Sequence, residues 1–497
     1  MDLNAFSKNV LLTCVLVLQA FTGINAQKKE VTISWDKIIM VSKTTATLQV
    51  VANPMLRRNS PIYEGAFNAL KSLGADYVRF VPWYHYPQMA VAELQPPSDN
   101  KTFWNFRQID PIVEDFMEAT KDHFPVMNFS TIPAWMFLTE QKVEYPSDSN
   151  LVCRTYNQGV ELRDTTIKEI TDYYVRLLSW YTKGGFIDEA GEYHKSGYFY
   201  NIPYWEILNE PDIEHRLSVQ QYTRIYDAIV IALKKVIPGT KFIGMSLANE
   251  SDPGWFEYFL DSTQHTGGVI PQILSYHFYG KPDFKEQAIE GYQYSFYNKA
   301  DAFLDRVRYI ENIRKRLAPQ SLTFINEVGN ILGDQQGASI PEDYWNLSGG
   351  MFAYIYIELA KMGIDVLGES QLVGFPTEFP SVTMIDWKNG QVNARFLVLK
   401  LLKENFAPGD KMVGTLSNSK EIAAQAFICG NNKKLLLINK RKKEIQIELP
   451  IEAKGATVYS VDISTGNRIA ESRLADGKIT LLPFGVSVIQ FENQAMK

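Results

Sequence analysis

The sequence is short of cysteine and histidine, and both shortages narrow its chemistry. Three cysteines occur in 497 residues. Cys14 lies in an N-terminal apolar run, so Cys153 and Cys429 remain for the folded part; one disulfide is possible and none is required. The six histidines (His85, His123, His194, His215, His265 and His277) are scattered, and none forms a metal-ligand spacing. A glycine-rich phosphate loop is also missing. No metal and no cofactor is therefore expected. A basic excess is missing too: 50 Lys and Arg face 56 Asp and Glu, a formal net charge of -6, which argues against a nucleic-acid binder. After the N-terminal run no stretch is apolar enough to span a membrane.

What is present begins with a targeting segment. Lys8 supplies a modest positive charge, Val10 to Phe21 an apolar run too short for a comfortable span, and Ala26 a small residue suited to cleavage. Residues 1–26 are expected to be a signal peptide, and the remainder to be secreted or periplasmic.

From Ala46 to Phe406 strand-like runs alternate with helical patterns. SPIYEGAFNALKSLG has helical apolar spacing and a glycine stop; DYVRFVPW is a β-branched and aromatic run ending at proline. Counting from TATLQVVANP, the strands number eight: then DYVRFVPW, FPVMNFSTIP, YWEILNEP, KFIGMSLA, ILSYHFYG, LTFINEVG and IDVLGESQLVG. Eight βα units predict a closed (β/α)8 barrel over residues 46–406. After the APGD turn, short runs such as IAAQAFICG, KLLLINK and VSVIQFE are joined by Gly, Asn and Lys turns. They predict an antiparallel β-sandwich over 407–497. Residues 27–45 precede the first barrel strand and can add a strand to that sandwich.

The fourth strand, YWEILNEPD, puts Glu206, Glu210 and Asp212 into what otherwise reads as a buried strand running into proline. Buried carboxylates are costly unless paired or used. Alternation places Tyr204, Glu206 and Leu208 on one face and Trp205 and Ile207 on the other. Glu206 is expected inside the barrel, paired with Arg79 of the second strand in an ion pair that also orients Glu327. Glu210 ends the fourth strand and Glu327 the seventh, at the mouth where such barrels carry their chemistry. Asp212 is expected to cap or orient the turn of Glu210.

These residues carry a resemblance. WEILNEPD resembles the acid/base motif of clan A glycoside hydrolases, and INEVG the clan's nucleophile motif. SYHFYG is similar to the sixth-strand segment of glycoside hydrolase family 39, the β-xylosidase and α-L-iduronidase family, and MIDWKNGQVNARFLVLKLLKEN resembles the clan's closing strand, turn and helix. The likeness covers most of the chain after residue 26, the sandwich included. It implies a retaining mechanism with Glu210 as acid/base and Glu327 as nucleophile. Asn209 would meet the substrate 2-hydroxyl, and His277 and Tyr279 would belong to the site, Tyr279 near the nucleophile. Arg79 is assigned to the site by its place in the barrel, His85, Trp83 and Trp135 as aromatic loop residues able to line a sugar pocket, and Glu369 as a group able to bind a sugar hydroxyl. Tyr279 stands where iduronidase-like members carry a lysine, which favours a neutral sugar. The expected partner is an oligosaccharide or polysaccharide. A uronidase-type or other clan A specificity is the alternative enzyme. A catalytically silent carbohydrate-binding protein is the alternative of another class.

Overall fold

A computed structural model describes residues 28–98, 100–153, 159–282, 289–332, 340–374 and 379–492. The expected signal peptide lies outside the described residues. β1 (Val31–Val41) comes first, and the barrel follows. Its strands are β2 (Thr45–Ala52), β3 (Arg79–Pro82) and β4 (Val126–Met127). A hairpin of β5 (Gly185–Ile187) and β6 (Tyr193–Lys195), which the sequence reading did not foresee, intervenes before β7 (Tyr204–Glu206). β8 (Lys241–Leu247), β9 (Ile273–Gly280), β10 (Leu322–Asn330) and β11 (Val366–Glu369) complete the closed sheet, in the order β10-β11-β2-β3-β4-β7-β8-β9. The pairings in this ring are parallel.

Helices return the chain to the start of each next strand, and their boundaries follow from sequence. α1 (Tyr63–Leu73) buries Ala66, Phe67, Leu70 and Leu73 at helical spacing and stops at Gly74, whose φ of 56° suits glycine. α2 is Asp110–Ala119 and α3 Lys168–Thr182. α4 (Val219–Val236) opens with a capping box, in which Ser218 accepts from the Gln221 backbone and the Gln221 side chain accepts from that of Ser218. α5 (Pro253–Leu260) is short; α6 (Ile289–Leu317) and α7 (Tyr344–Met362) begin well before the apolar spacing alone marks them; α8 (Ala394–Asn405) closes the barrel. Among the described residues no helix is long and apolar enough to cross a membrane.

The floor of the barrel is a small apolar cluster of Val126, Tyr204, Ile243, Ile273, Phe324 and Val366, drawn from the beginnings of six strands. One residue farther along β7, Trp205 turns outward and stacks on Phe129 at 5.8 Å between centroids. One more brings Glu206 back inside, above the floor. Period-two alternation thus explains how a carboxylate enters the interior.

The C-terminal strands β12 (Lys411–Ser417), β13 (Ile422–Cys429), β14 (Asn432–Asn439), β15 (Ile445–Glu448), β16 (Thr457–Val461), β17 (Ala470–Arg473), β18 (Lys478–Leu481) and β19 (Val486–Gln490) form the sandwich. β1 joins by pairing antiparallel with β12, at the edge of a seven-stranded sheet ordered β1-β12-β13-β14-β19-β16-β17; β15 and β18 pair separately. The run LLLI in β14 serves two cores. Leu435 and Leu437 face the sandwich interior, whereas Leu436 and Ile438 join the core of the barrel. A strand apolar on both faces is what cementing a sheet to a barrel requires. Cys153 and Cys429 are both free.

Candidate active site

Arg79 is 1% exposed and is the hub of the barrel interior. A guanidinium has five N–H donors, and each has an acceptor here. Nε donates to Glu206 Oε2. Nη1 donates to Gln49 Oε1 at 2.6 Å and to Glu327 Oε1 at 2.5 Å. Nη2 donates to Asn209 Oδ1 at 2.6 Å and Ser246 Oγ at 2.9 Å. Glu206 is equally saturated: Oε2 also accepts from Asn128 Nδ2 at 2.6 Å, and Oε1 accepts from Ser275 Oγ at 2.6 Å and Asn326 Nδ2 at 2.8 Å. A buried ion pair is tolerable only when its remaining hydrogen-bonding capacity is filled. The partners of this one come from β2, β8, β9 and β10 and from the residues that follow β4 and β7.

Two β-bulges make that convergence possible. Register shifts between Gly244 and Leu247 in β8, and between Ile325 and Glu327 in β10. A bulge lets residues that strict alternation would send to opposite faces share one. Ser246 thereby reaches Arg79, and Asn326 and Glu327 both reach the interior. The backbone pays locally, with φ of 84° at Met245 and 46° at Ser246, on β8, and 64° at Leu208 and 41° at Glu210, beyond β7. Such values are unfavourable for residues with a side chain. They also correct the expectation for Leu208: alternation ends at Glu206, and past it the chain coils. Glu210 N is fixed by Ser246 O at 2.9 Å. Asp212 caps the neighbouring loop instead of the turn of Glu210, accepting from the backbone of Ala248 and Asn249 at 3.1 and 2.9 Å.

One oxygen of Glu210, one of Glu327 and a ring nitrogen of His277 lie within 4.8 Å of one another. His277 Nδ1 is 2.8 Å from Glu210 Oε1 and 3.6 Å from Glu327 Oε2; Nε2 is 3.1 Å from Ser246 Oγ. Tyr279 donates to Glu327 Oε2 at 2.6 Å. That uses its only proton, so Ser370 Oγ, at 2.6 Å, donates to Tyr279 and itself accepts from Gln49 Nε2 at 2.8 Å.

The two carboxyls titrate apart. Burial raises the pKa of Glu210; His277 opposes this, and the charge of Glu327 adds to it. Glu327 is also pushed up by burial, but His277, Arg79 and Tyr279 outweigh that and hold it below the usual range. Burial disfavours charge on His277, and the carboxylates of Glu327 and Glu210 overcome it, so its pKa lies above that of an ordinary imidazole. A neutral acid beside an ionised carboxylate is the arrangement that separates proton donor from nucleophile. The same trio is spaced like metal ligands, yet Arg79 already places a positive charge on Glu327. A second such group, Asp188, Glu192 and His194, lies on the β5–β6 hairpin, where Asp188 is occupied by Thr102, His194 and the backbone of Ala190 and Glu192.

A cavity of about 640 Å³ opens above these groups, lined by Asn209, Glu210, Tyr279, Glu327, Trp83 and Phe379 among others. The structure brings Arg79, Asn209, His277 and Tyr279 to the two glutamates. Trp83 lines the cavity, whereas His85, Trp135 and Glu369 are not in its wall. His85 packs behind Trp83, 3.8 Å between ring centroids. Trp135 turns away, donating to Glu93 O at 2.9 Å beneath the guanidinium of Arg163. Glu369 is buried and accepts from Arg395 Nε at 3.0 Å, which makes it a partner for a helix and removes it from sugar hydroxyls.

Sequence reasoning missed Gln49, Ser246, Asn326, Ser370 and Glu214. Glu214 Oε1 accepts from Trp83 Nε1 at 2.8 Å and Asn209 Nδ2 at 2.7 Å. It thereby fixes which way the Asn209 amide points. Burial, with the charge of Glu210 added, pushes its pKa well above the usual range. Its place four residues past Glu210, in a tight turn, was the available signal.

No family model matches the chain, and no curated protein does. Solved structures do match over nearly its whole length. A GH51 arabinofuranosidase from Xanthomonas axonopodis pv. citri is similar with a TM-score of 0.62 at 11% identity, over 94% of this chain and 100% of that one. A monomeric beta-xylosidase from Caulobacter crescentus CB15 gives 0.60 at 14%, over 94% and 100%. A conserved exported protein from Bacteroides fragilis gives 0.62 at 12%, over 93% and 100%. At these identities the likeness establishes the fold: a (β/α)8 barrel with an appended β-sandwich, as the sequence predicts.

Proposed function

We infer that the chain is a secreted, retaining, exo-acting glycosidase that releases a terminal neutral sugar, with a β-xyloside as the leading substrate. The observation that carries this reading is the pair Glu210 and Glu327, with oxygens within 4.8 Å and pKa values displaced in opposite directions. Carboxyls about 5 Å apart suit double displacement, whereas inverting enzymes need a wider gap for water. The xylosidases and arabinofuranosidases that share the fold agree with it.

In this mechanism Glu327 attacks the anomeric carbon while Glu210 passes its proton to the departing oxygen. Arg79 keeps Glu327 ionised and aimed; Tyr279 holds the second oxygen until the sugar draws near. Formation of the glycosyl ester removes the charge of Glu327, which had raised the pKa of Glu210. Glu210 then accepts a proton from water, and that water releases the sugar with its configuration retained. Asn209 has one amide hydrogen on Glu214, and the other, with no acceptor among the described residues, would serve the 2-hydroxyl. Trp83 and Phe379, 6.1 Å apart between ring centroids, offer apolar faces to the sugar ring.

The test is release of nitrophenol from aryl β-xyloside, β-galactoside, β-glucoside, α-L-arabinoside, β-glucuronide and α-L-iduronide, by the wild type and by Glu327→Ala. Activity on one member, abolished by the substitution, supports the reading and names the sugar. Activity that survives the substitution removes Glu327 as nucleophile.

A further inference from the structure

The cavity wall is electrically lopsided. Apart from Glu210 and Glu327, which His277 and Arg79 answer, its charged residues are Lys281, Lys299 and Arg306 against Glu250 alone. Glu250 is committed to Arg306, accepting from Nε at 2.7 Å and from Nη2. Lys281 and Lys299 are exposed and make no ion pair among the described residues, in a chain whose net charge is -6. All three cations stand on one side, at the end of β9 and on α6. The opposite wall is apolar, formed by Val51, Val81, Trp83 and Phe379.

The depth of these cations follows from β9. Ser275, His277 and Tyr279 climb its inner face two residues at a time, touching Glu206, Glu210 and Glu327 in turn. Lys281 is next in that parity, just past the strand end at Gly280. Two residues of strand rise about 7 Å. The lysine therefore stands one step farther out than the tyrosine beside Glu327, beyond a sugar ring seated on the two glutamates. Unpaired charges of one sign in a cleft with an apolar wall attract a substrate of the opposite sign.

We propose that the substrate carries an anionic group, a carboxylate or a sulfate ester, on the sugar next to the one released, and that Lys281 and Lys299 receive it. This rests on the glycosidase reading of the site and adds the substrate class. A terminal neutral sugar lies at Tyr279, and its acidic neighbour lies at the lysines.

Three disaccharides test it: xylosyl-glucuronic acid, its carboxyl-reduced counterpart xylosyl-glucose, and xylosyl-glucose 6-sulfate. At low salt the wild type should show a kcat/KM roughly 3- to 10-fold higher for an anionic member than for the neutral one, the range expected of one or two exposed charge pairs. That ratio should collapse toward one in 0.5 M NaCl and in the double variant Lys281→Gln, Lys299→Gln. Preference for the glucuronide alone assigns a carboxylate, and for the sulfate alone a sulfate ester. Equal kcat/KM for all three at low salt overturns the proposal, as does a preference that survives both salt and the double substitution. If none of the three is cleaved, calorimetric titration of the same sugars decides. Tighter binding of an anionic member upholds the charge assignment and counts against the glycosidase reading alone; equal binding overturns the assignment.

Discussion

Arg79 Nη1 donates to Glu327 Oε1 at 2.5 Å, so a carboxylate of the seventh barrel strand is held by a guanidinium from the second. The same guanidinium is paired with Glu206, which has no exposed surface. The side chain that is paired in the barrel interior therefore also holds Glu327 at the cavity.

Arg79→Met leaves Glu206 buried and unpaired and should cost about 3–5 kcal/mol in urea unfolding, the penalty for breaking a buried pair from one side. Arg79→Lys keeps the charge but offers three donors where five are used. It should fold, yet lose roughly 100-fold in kcat/KM, because Glu327 and Asn209 lose their fixed orientation. Retention of full activity in Arg79→Lys would contradict the role of the fork.

Glu210→Gln cannot protonate a leaving group. For alkyl glycosides or disaccharides kcat/KM should fall about 10²- to 10⁴-fold. Nitrophenol leaves without a proton, so the first step on nitrophenyl glycosides should suffer far less. External azide, which needs no base, should restore turnover with those substrates. An equal loss on both substrate types would count against Glu210 as the acid.

His277 lowers the pKa of both carboxyls it faces. In the proposed mechanism activity needs Glu327 ionised, which sets the acid limb of kcat/KM, and Glu210 protonated, which sets the alkaline limb. In His277→Gln the imidazolium is gone, both carboxyl pKa values rise, and both limbs of the bell should move to higher pH. Limbs that stay in place would mean that His277 carries no charge in the working enzyme.

Glu93 is buried, and burial pushes its pKa up to about 7. The folded state thus holds a proton that the unfolded chain gives up at ordinary carboxyl values. The stabilisation is complete below about pH 4.5 and is lost as pH climbs through about 7. Between those values Glu93 should cost the fold about 1–3 kcal/mol, allowing for solvent screening. Glu93→Gln keeps the acceptor for Phe103 N, now at 3.1 Å, and should flatten that slope in urea unfolding at pH 5 and pH 7.5. An unchanged slope would place the titration elsewhere.

The eight barrel strands were legible because each is an apolar or aromatic run ended by proline, glycine or a helix start, and Glu210 and Glu327 because each ends such a run. Even the Arg79–Glu206 pair followed from two charges inside two strands. Gln49, Ser246, Asn326 and Ser370 were not legible. Each is a polar residue within a barrel strand or, for Ser370, just past the end of one, and Ser246 and Asn326 reach Arg79 or Glu206 only through bulges that shift the parity of β8 and β10. Glu369 misled for the opposite reason. An acid near a strand end looks free until its partner, Arg395, arrives from the next helix. Trp135 and His85 are aromatic residues of the right loops, and sequence does not say which ring of a loop faces the cavity and which packs behind it.

Glu214 holds Trp83 and Asn209 through one oxygen. In Glu214→Leu both donors lose their acceptor, and the Asn209 amide is free to turn away from the substrate. Hydrogen bonds to the 2-hydroxyl strengthen in the transition state of glycoside hydrolysis. The variant should therefore lose about 10- to 100-fold in kcat/KM on a 2-hydroxy glycoside, carried mainly by kcat, and much less on the matching 2-deoxy glycoside. Glu214→Gln keeps one carbonyl acceptor and should restore most of the discrimination. A purely structural role predicts equal losses on the two glycosides, and that result would separate Glu214 from recognition of the 2-hydroxyl.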